Sequence, residues 1–205
     1  MGRKAGEAEN RERQWDRLLR IRTSGRDDSG ADRFRYPYEP TPYCILERLA
    51  SSPYMGKKHV LLDYGCGKGR VSFYLSHETG CRSIGVEYDR KLWRSAEENR
   101  RTAVSGRKTE FVEIPAETYP VPEEVDRCYF FNPFSIELLE KVMMRIQESL
   151  QRCPRKILLF FYYPSEEYLS YLTALDSLTL LETVDCRDLF PGGDSRECIA
   201  VFEMS

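Results

Sequence analysis

Short apolar runs alternate with amphipathic segments along most of this chain of 205 residues. Unbroken apolar runs predict strands that are buried on both faces, as in a parallel sheet. We expect such strands at residues 60–62 and 156–162. Further strands are expected at residues 81–87 and 125–131, and a shorter alternating strand at 109–114. The stretches 89–104 and 136–151 repeat apolar residues at helical spacing. This order predicts an α/β fold with a mainly parallel sheet.

Two closing strands are expected at residues 178–184 and 197–203, after a short helix at 165–176. The loop between the two strands contains Pro191, Gly192 and Gly193, which interrupt regular structure. With these additions the predicted sheet has seven strands.

Composition narrows the class of protein. With 41% hydrophobic and 31% charged residues, the chain resembles an ordinary globular domain, and no run approaches the length of a membrane span. No signal peptide precedes the first predicted helix, so we expect a cytoplasmic protein without a membrane partner. A net charge of −2 argues against a protein that clamps nucleic acid over its whole surface, but leaves room for a local basic patch.

Cysteine and histidine are placed without a metal-binding pattern. The seven cysteines are scattered with no C-x-x-C pair, which is typical of reduced thiols packed in a core. His59 and His77 are too far apart in the sequence to form a metal-ligand motif. We therefore predict no metal.

A glycine cluster follows the first strand in the segment V-L-L-D-Y-G-C-G-K-G-R at residues 60–70. Gly65, Gly67 and Gly69 let the chain turn sharply and let backbone N–H groups approach a ligand closely. The spacing is G-x-G-x-G, with Asp63 before it, whereas dinucleotide sites use G-x-G-x-x-G. Asp63 would repel a pyrophosphate but suits a cationic ligand. Glu87 ends the next strand, where a carboxylate can accept both ribose hydroxyls.

These features resemble motif I and the following acidic position of class I S-adenosylmethionine (SAM)-dependent methyltransferases. Together with E-P-T-P-Y and F-F-N-P-F-S, they look like a little-described bacterial group of that class. The resemblance implies SAM as cofactor, S-adenosylhomocysteine as product, and a Rossmann-like seven-stranded sheet with helices on both faces and an antiparallel C-terminal pair. It also implies cofactor contacts at Asp63, Gly65, Cys66, Gly67, Gly69, Glu87, Tyr88 and Asn132.

The adenine end of the expected site departs from the family pattern. Class I methyltransferases usually carry an acid just after the third strand, but Pro115 stands near that position here. The resemblance therefore implies adenine contacts at Ala116 and Glu117, the next residues along.

The segment N-P-F after the fourth strand is similar to the N-P-P-[YF] motif of amino-group methyltransferases. That likeness implies catalytic roles for Asn132, Pro133 and Phe134, in which oxygen atoms accept hydrogen bonds from a target nitrogen and the aromatic ring stacks on the target. The alternative is a turn in which Asn132 caps the helix that starts near Ser135.

The segment Y-P-Y-E-P-T-P-Y at residues 36–43 is held extended by its prolines. It either crosses the mouth of the cofactor site or packs as a linker on the sheet edge. Tyr43 and Glu39 are the nearest candidates if a general base is needed. Tyr162 and Tyr163, at the end of the fifth strand, are candidates for the acceptor pocket.

Residues 1–35 form a charged arm, with ten Arg and Lys against seven Asp and Glu, and residues 36–205 form the methyltransferase domain. A helix at 10–22 would place Trp15, Leu18 and Leu19 on one face. The arm either rests this face on the domain or recruits an RNA or protein substrate.

The sequence leaves the identity of the methyl acceptor undecided. An amino or amide nitrogen of a macromolecule, RNA or protein, is the favoured prediction, with a small molecule as the alternative. A SAM-binding subunit without catalysis is a rival, whereas a nicotinamide-dependent oxidoreductase is disfavoured by the glycine spacing. Nothing in the sequence indicates the oligomeric state.

Overall fold

A computed structural model describes residues 2–205, with side chains described at residue 6 and from residue 9 onward. The α-helices are α1 (Gly2–Leu19), α2 (Tyr43–Ala50), α3 (Arg70–Glu78), α4 (Arg90–Thr102), α5 (Ile136–Arg152) and α6 (Glu166–Thr173). The strands are β1 (Val60–Tyr64), β2 (Arg82–Glu87), β3 (Thr109–Glu113), β4 (Arg127–Phe130), β5 (Ile157–Tyr162), β6 (Leu178–Asp185) and β7 (Cys198–Met204).

The strands form one sheet in the order β3-β2-β1-β4-β5-β7-β6. The first five strands in that order run parallel to one another, and β7 inserts antiparallel between β5 and β6. This arrangement confirms the predicted mainly parallel sheet with an antiparallel C-terminal pair. The strand order reverses direction at β1 and β4, which is where open α/β sheets place their ligands.

Side chains on β1 and β5 alternate between two apolar clusters on opposite faces of the sheet. Leu62 and Phe161 belong to the cluster packed against α5 and α6, while Leu61 and Phe160 belong to the one packed against α2 and α3. Because both faces are covered, β1 and β5 are buried throughout, which is why the sequence reads there as unbroken apolar runs.

Helix α1 begins earlier than predicted and packs on the domain with a partly polar face. Leu19 is fully buried and Trp15 meets the Tyr74 ring edge-on at 4.9 Å, but Leu18 is 63% exposed. The predicted placement of Leu18 on the buried face is wrong, because Asp16 lies on that face instead. The helix ends where Arg20 takes a left-handed conformation (φ 59°).

Candidate functional site

The carboxyl ends of β1, β2 and β4 open into a cleft of about 900 Å³, counting space open to solvent, which we call the glycine-loop cleft. Its floor comes from the loop after β1 and the end of β2. Most sequence-predicted cofactor residues line it: Asp63, Gly65, Cys66, Glu87, Tyr88, Ala116 and Glu117. Residues far apart in the chain are brought together here because parallel strands end at the same edge.

The glycine loop is held in a shape that other residues would strain. Gly65, Gly67 and Gly69 have positive φ angles of 69°, 55° and 87°. The amides of Gly65 and Cys66 both donate to the Val86 carbonyl, at 3.0 and 3.1 Å. A Cβ at Gly67 would lie 2.2 Å from the Tyr38 ring, so glycine is needed for this close approach.

Gly69 does not line the cleft but faces the core beneath the glycine loop. A Cβ there would approach the Phe111 and Phe73 rings to 2.6 and 2.8 Å. The third glycine of the motif therefore lets α3 pack closely against the sheet, while the other two shape the ligand side.

Two buried acids flank the loop, and neither forms an ion pair with any of the described side chains. Asp63 accepts a hydrogen bond from the Ser72 hydroxyl at 3.0 Å, and Glu87 accepts from the amides of Gly67 and Asp89, both at 2.9 Å. Burial is the main cause that raises the pKa of Asp63 and of Glu87 to about 7. The site is therefore built to gain from a positively charged ligand.

The glycine-loop cleft is also lined by Glu117, at the position expected for adenine. Glu117 Oε1 accepts from Arg35 at 2.6 Å, and the Arg35 guanidinium lies 4.5 Å from the Tyr88 ring centre. Glu117 Oε2 is buried without a hydrogen-bond partner in the described part of the chain. That free acceptor could take an amino group such as the one on adenine.

Residues 27–41 cross the mouth of this cleft, and we call them the strap. Asp27 and Tyr38 pair across the strap, and the Tyr38 hydroxyl donates to the Thr23 carbonyl at 2.6 Å. The Tyr36 amide donates to the Pro133 carbonyl at 3.2 Å. Of the two interpretations of this segment, the structure agrees with a cover over the glycine-loop cleft and not with a linker on the sheet edge.

Tyr43 lines neither the glycine-loop cleft nor the tyrosine cleft, a second opening that is described in the next paragraph. It is fully buried, its hydroxyl donates to Asp16 at 2.6 Å, and the Arg70 guanidinium stacks 4.3 Å from its ring centre. The prediction that Tyr43 acts as a catalytic residue is therefore wrong, because its hydroxyl is engaged in the contact with α1. Glu39, the other candidate base, does line both clefts.

Beyond the strap lies a second opening of about 1100 Å³, solvent included, which we call the tyrosine cleft. It is lined by Arg26, Tyr36, Pro37, Glu39, Pro42, Phe131, Asn132, Tyr162, Tyr163, Phe190 and Glu197. Tyr36, Pro37, Glu39 and Phe131 also line the glycine-loop cleft, so the two openings meet at these residues.

Asn132 lies in the tyrosine cleft and not among the residues that line the glycine-loop cleft, so the structure does not support its prediction as a cofactor contact. Its Nδ2 donates to the Tyr163 carbonyl, and its Oδ1 is buried without a partner in the described residues. Both Asn132 and Tyr163 have positive φ angles, 38° and 51°. Since Ser135 is the residue that precedes α5, the capping alternative for Asn132 is wrong.

Pro133 and Phe134 line the glycine-loop cleft. The Phe134 ring is only 4% exposed and packs edge-on against Phe130, at 6.5 Å between centroids. Its predicted stacking on an acceptor is wrong, because the ring is part of the core. The tyrosine cleft is instead lined by the rings of Tyr36, Phe131, Tyr162, Tyr163 and Phe190.

Several residues at these clefts were not singled out from the sequence. Arg35 and Arg70 line the glycine-loop cleft, while Arg26, Phe190 and Glu197 line the tyrosine cleft. Arg70 is the last residue of the quoted motif, and its charge between a glycine loop and a helix was a usable signal. The others lie in loops, where spacing carries no information about which cleft they face.

Across residues 2–205, no three His, Cys, Asp or Glu side chains come together in a group that could hold a metal ion. None of the helices in that range is both long enough and apolar enough to cross a membrane.

The chain is similar to known proteins both in sequence and in fold. Residues 61–153 match a family model described as a methyltransferase domain. An RNA methyltransferase from Salinibacter ruber, solved with S-adenosyl-L-homocysteine, superimposes with a TM-score of 0.52 at 19% identity, covering 81% of this chain and 92% of that one. A SAM-dependent methyltransferase from Thiobacillus denitrificans, also with S-adenosyl-L-homocysteine, gives 0.55 at 15% identity, with 86% and 94% covered.

A precorrin-6y C5,15-methyltransferase from Geobacter metallireducens gives a TM-score of 0.57 at 16% identity, covering 81% of this chain and 89% of that one. Identities this low establish the fold alone. No curated protein matches the sequence. The match over residues 61–153 identifies a methyltransferase domain within this chain, and the strand order of the sheet is that of the class I methyltransferase fold.

Proposed function

We propose that the chain transfers the methyl group of SAM to an amino or amide nitrogen. The observation that carries this proposal is Asn132 Oδ1, a buried acceptor without a partner in the described residues, at the end of β4. A buried polar atom left unpaired costs about 1–3 kcal/mol, and a substrate N–H would remove that cost. The left-handed backbone at Asn132 adds strain of the kind found at functional sites.

We assign the cofactor to the glycine-loop cleft. Asp63 and Glu87 suit its positive charge and its ribose hydroxyls, and Glu117 Oε2 suits an adenine amino group. Tyr88 and Ala116 line the same end of the cleft. When bound there, SAM supplies a methyl carbon attached to a positively charged sulfur, which is already activated for displacement.

The protein's part in the reaction is then mainly to orient the acceptor. Asn132 Oδ1 accepts one N–H, which fixes the direction of the nitrogen lone pair. That lone pair forms the new N–C bond as the S–C bond breaks, and the nitrogen gives up one proton. The strap limits access of water to the cleft, because the Tyr38 ring lies directly on Gly67.

The sequence favours a macromolecular acceptor, RNA or protein, over a small molecule. The tyrosine cleft is open to solvent on one side, which is compatible with an acceptor group presented by a larger partner. Whether the nitrogen is free or attached to a macromolecule is decided by offering both kinds of substrate.

The test uses Asn132→Gly, which tolerates the positive φ angle and removes the whole side-chain amide. We expect turnover of labelled SAM to fall by about 10²–10³-fold, the usual cost of losing an orienting hydrogen bond in a transition state. Affinity for S-adenosylhomocysteine, measured by calorimetry, should change little. The parent is assayed on total RNA, on a protein extract and on a metabolite pool.

Two results would count against the proposal. If Asn132→Gly turns over as fast as the parent, Asn132 does not orient the acceptor. If the parent binds SAM but transfers no methyl group to any pool, the chain is a SAM-binding subunit instead.

A further inference from the structure

Five aromatic residues line the tyrosine cleft together with Asn132: Tyr36, Phe131, Tyr162, Tyr163 and Phe190, of which Tyr162 is only 3% exposed and belongs to the core. Phe131 and Tyr162 lie against each other with ring centroids 4.7 Å apart, and Tyr163 follows Tyr162 at 6.1 Å. An aromatic ring that is accessible in a cleft can bind a cation or a flat group on its negative face. The charges of the cleft decide between those two.

The charged residues of the cleft favour a cation. Glu39 and Glu197 line it, and Arg26 is the one basic residue among its lining. Arg26 is already paired, since it donates to Asp28 at 2.8 Å and lies 3.6 Å from Glu39. None of the described side chains forms an ion pair with Glu197, although the charge of neighbouring Arg196, which lies 3.7 Å from Asp194, also acts on it.

Glu197 lines the same cleft as Asn132, and the two are linked by contacts at the end of β5. The Tyr162 hydroxyl donates to Glu197 Oε2 at 2.8 Å, and Tyr162 is followed by Tyr163, whose carbonyl accepts from Asn132. The residues that hold Glu197 in place are thus those that end β5 beside Asn132. Burial raises the pKa of Glu197 above its ordinary value.

One cation of the protein itself already uses this surface. The Arg196 guanidinium lies 4.2 Å from the Tyr163 ring centre and donates to the Tyr163 hydroxyl at 2.5 Å. Asp194 accepts from the same hydroxyl at 2.6 Å. The aromatic surface beside the cleft therefore holds a positive group next to a carboxylate.

We propose that the acceptor is an aliphatic amine, cationic in solution, bound among these rings with its nitrogen between Asn132 Oδ1 and the Glu197 carboxylate. This inference rests on the proposed function and names its substrate class. A nucleotide would bring phosphate charge toward Glu39 and Glu197, so the same residues disfavour RNA.

The proton balance of the reaction fits this assignment. The ammonium form first loses one proton, which the Glu197 carboxylate accepts and passes to solvent. The free lone pair then forms the N–C bond as the S–C bond breaks, and the sulfur keeps that electron pair. A raised pKa makes Glu197 a better proton acceptor than an ordinary surface carboxylate.

Direct binding gives the first test and does not depend on turnover. Calorimetry compares n-butylamine, spermidine and a lysine-containing peptide with n-butanol, which has a similar shape without the charge, each with protein loaded with S-adenosylhomocysteine. We expect the amines to bind at least tenfold tighter than the alcohol. Spermidine and the lysine peptide distinguish a small amine from a protein side chain.

Glu197→Gln tests the carboxylate, and Glu203→Gln is its matched control, because Glu203 lies at the other end of β7 and pairs with Lys156. Glu197→Gln should lose at least tenfold in amine affinity and shift the pH profile of methylation upward, with S-adenosylhomocysteine affinity unchanged. Glu203→Gln should behave as the parent in each assay.

The inference fails if the amines bind no better than n-butanol, or if Glu197→Gln binds them as the parent does. It also fails if an oligonucleotide is methylated and the amines are not, in which case loss of that activity in Asn132→Gly would still uphold the proposed function. Absence of methyl transfer to every substrate would overturn the proposed function, while the binding comparison would still decide whether the cleft selects amines.

Discussion

Asp63 and Glu87 are buried acids whose ionisation is costly until a ligand compensates it. Burial raises the pKa of each to about 7, against ordinary values of 3.8 and 4.5. Folding therefore favours their protonated forms. Their contribution to stability is complete below the pKa of the unfolded chain and is lost as the pH rises through 7.

We therefore expect SAM to bind more tightly as the pH rises, because the ionised acids suit its positive charge and its hydroxyl donors. Each group with a pKa of about 7 that ionises for binding should increase the affinity about tenfold between pH 6 and pH 8. Calorimetry across that range measures the effect. Thermal melting of the ligand-free protein should show the opposite trend, with lower stability at pH 8.

The Glu87→Gln variant tests this pH dependence. Its amide oxygen can still accept a hydrogen bond from the Gly67 amide, while the charge is removed. It should flatten part of the pH dependence and weaken binding most at pH 8. If SAM affinity in the variant depends on pH as strongly as in the parent, then ionisation of Glu87 does not contribute to that dependence.

The residues at the strand ends could be predicted from the sequence, because the glycine motif and the predicted order of parallel strands both place them at one edge of the sheet. Asp63, Glu87 and Glu117 all line one cleft, as the sequence implied. Tyr43 was misjudged because its partner is Asp16, which is 27 positions earlier in the chain. A hydroxyl used in such a long-range contact cannot be told from a free one by spacing.

At the scale of elements, the contact between α1 and α3 is ionic and buried. Arg70, at the start of α3, is 2% exposed and pairs with Glu12, donates to Thr23 Oγ1 at 2.7 Å, and lies 3.7 Å from Asp16. Asp16 Oδ2 accepts from the Thr23 amide at 2.8 Å. The first residues of α3 are therefore fixed by carboxylates of α1.

Asp16→Asn should destabilise the protein by about 3–5 kcal/mol, because it removes one charge from a buried network around Arg70. Urea unfolding measures the change. The control is Asp28→Asn, whose exposed pair with Arg26 should contribute less than about 1 kcal/mol. Equal effects of the two substitutions would mean that the α1 contact adds little to the fold.

Because this contact is polar, the hydrophobic pattern of the sequence predicted the buried face of α1 poorly. A hydrophobic pattern predicts that Trp15, Leu18 and Leu19 form the buried face, whereas the structure buries Asp16 with Leu19 and leaves Leu18 exposed. The position of the buried face is set by Arg70, 54 residues beyond Asp16 in the sequence. The boundary between a charged arm and the domain at residue 35 remains a prediction. Because Glu12, Asp16 and Thr23 contact Arg70 of the domain, point variants are the suitable test of that boundary.

At the scale of the whole molecule, the sheet was predictable because apolar runs, glycines and strand spacing all indicate the same topology. The course of the strap was not, because its position depends on single contacts with distant residues. Arg35 pairs with Glu117, and Tyr38 lies on Gly67. Those contacts link the strap to both ends of the glycine-loop cleft, so the cleft and the strap form one unit.

The Tyr38 ring lies so close to the glycine loop that a Cβ at Gly67 would be 2.2 Å from it, so we expect the strap to open when SAM enters the cleft. Once the ligand is bound, the contacts of the strap with it add to those that Arg35 and Tyr38 already make with Glu117 and Gly67. We therefore expect S-adenosylhomocysteine to slow tryptic cleavage at Arg33, which is exposed on the strap, by at least fivefold.

Mass spectrometry of timed digests follows this cleavage, and Arg187, which is exposed and lines neither cleft, serves as the internal control. Its cleavage rate should not depend on the ligand. Tyr38→Ala should speed cleavage at Arg33 in the free protein, because it removes the ring that rests on the glycine loop and the hydroxyl that binds the Thr23 carbonyl. If Arg33 is cut at the same rate with and without saturating ligand, the strap does not close over the bound cofactor.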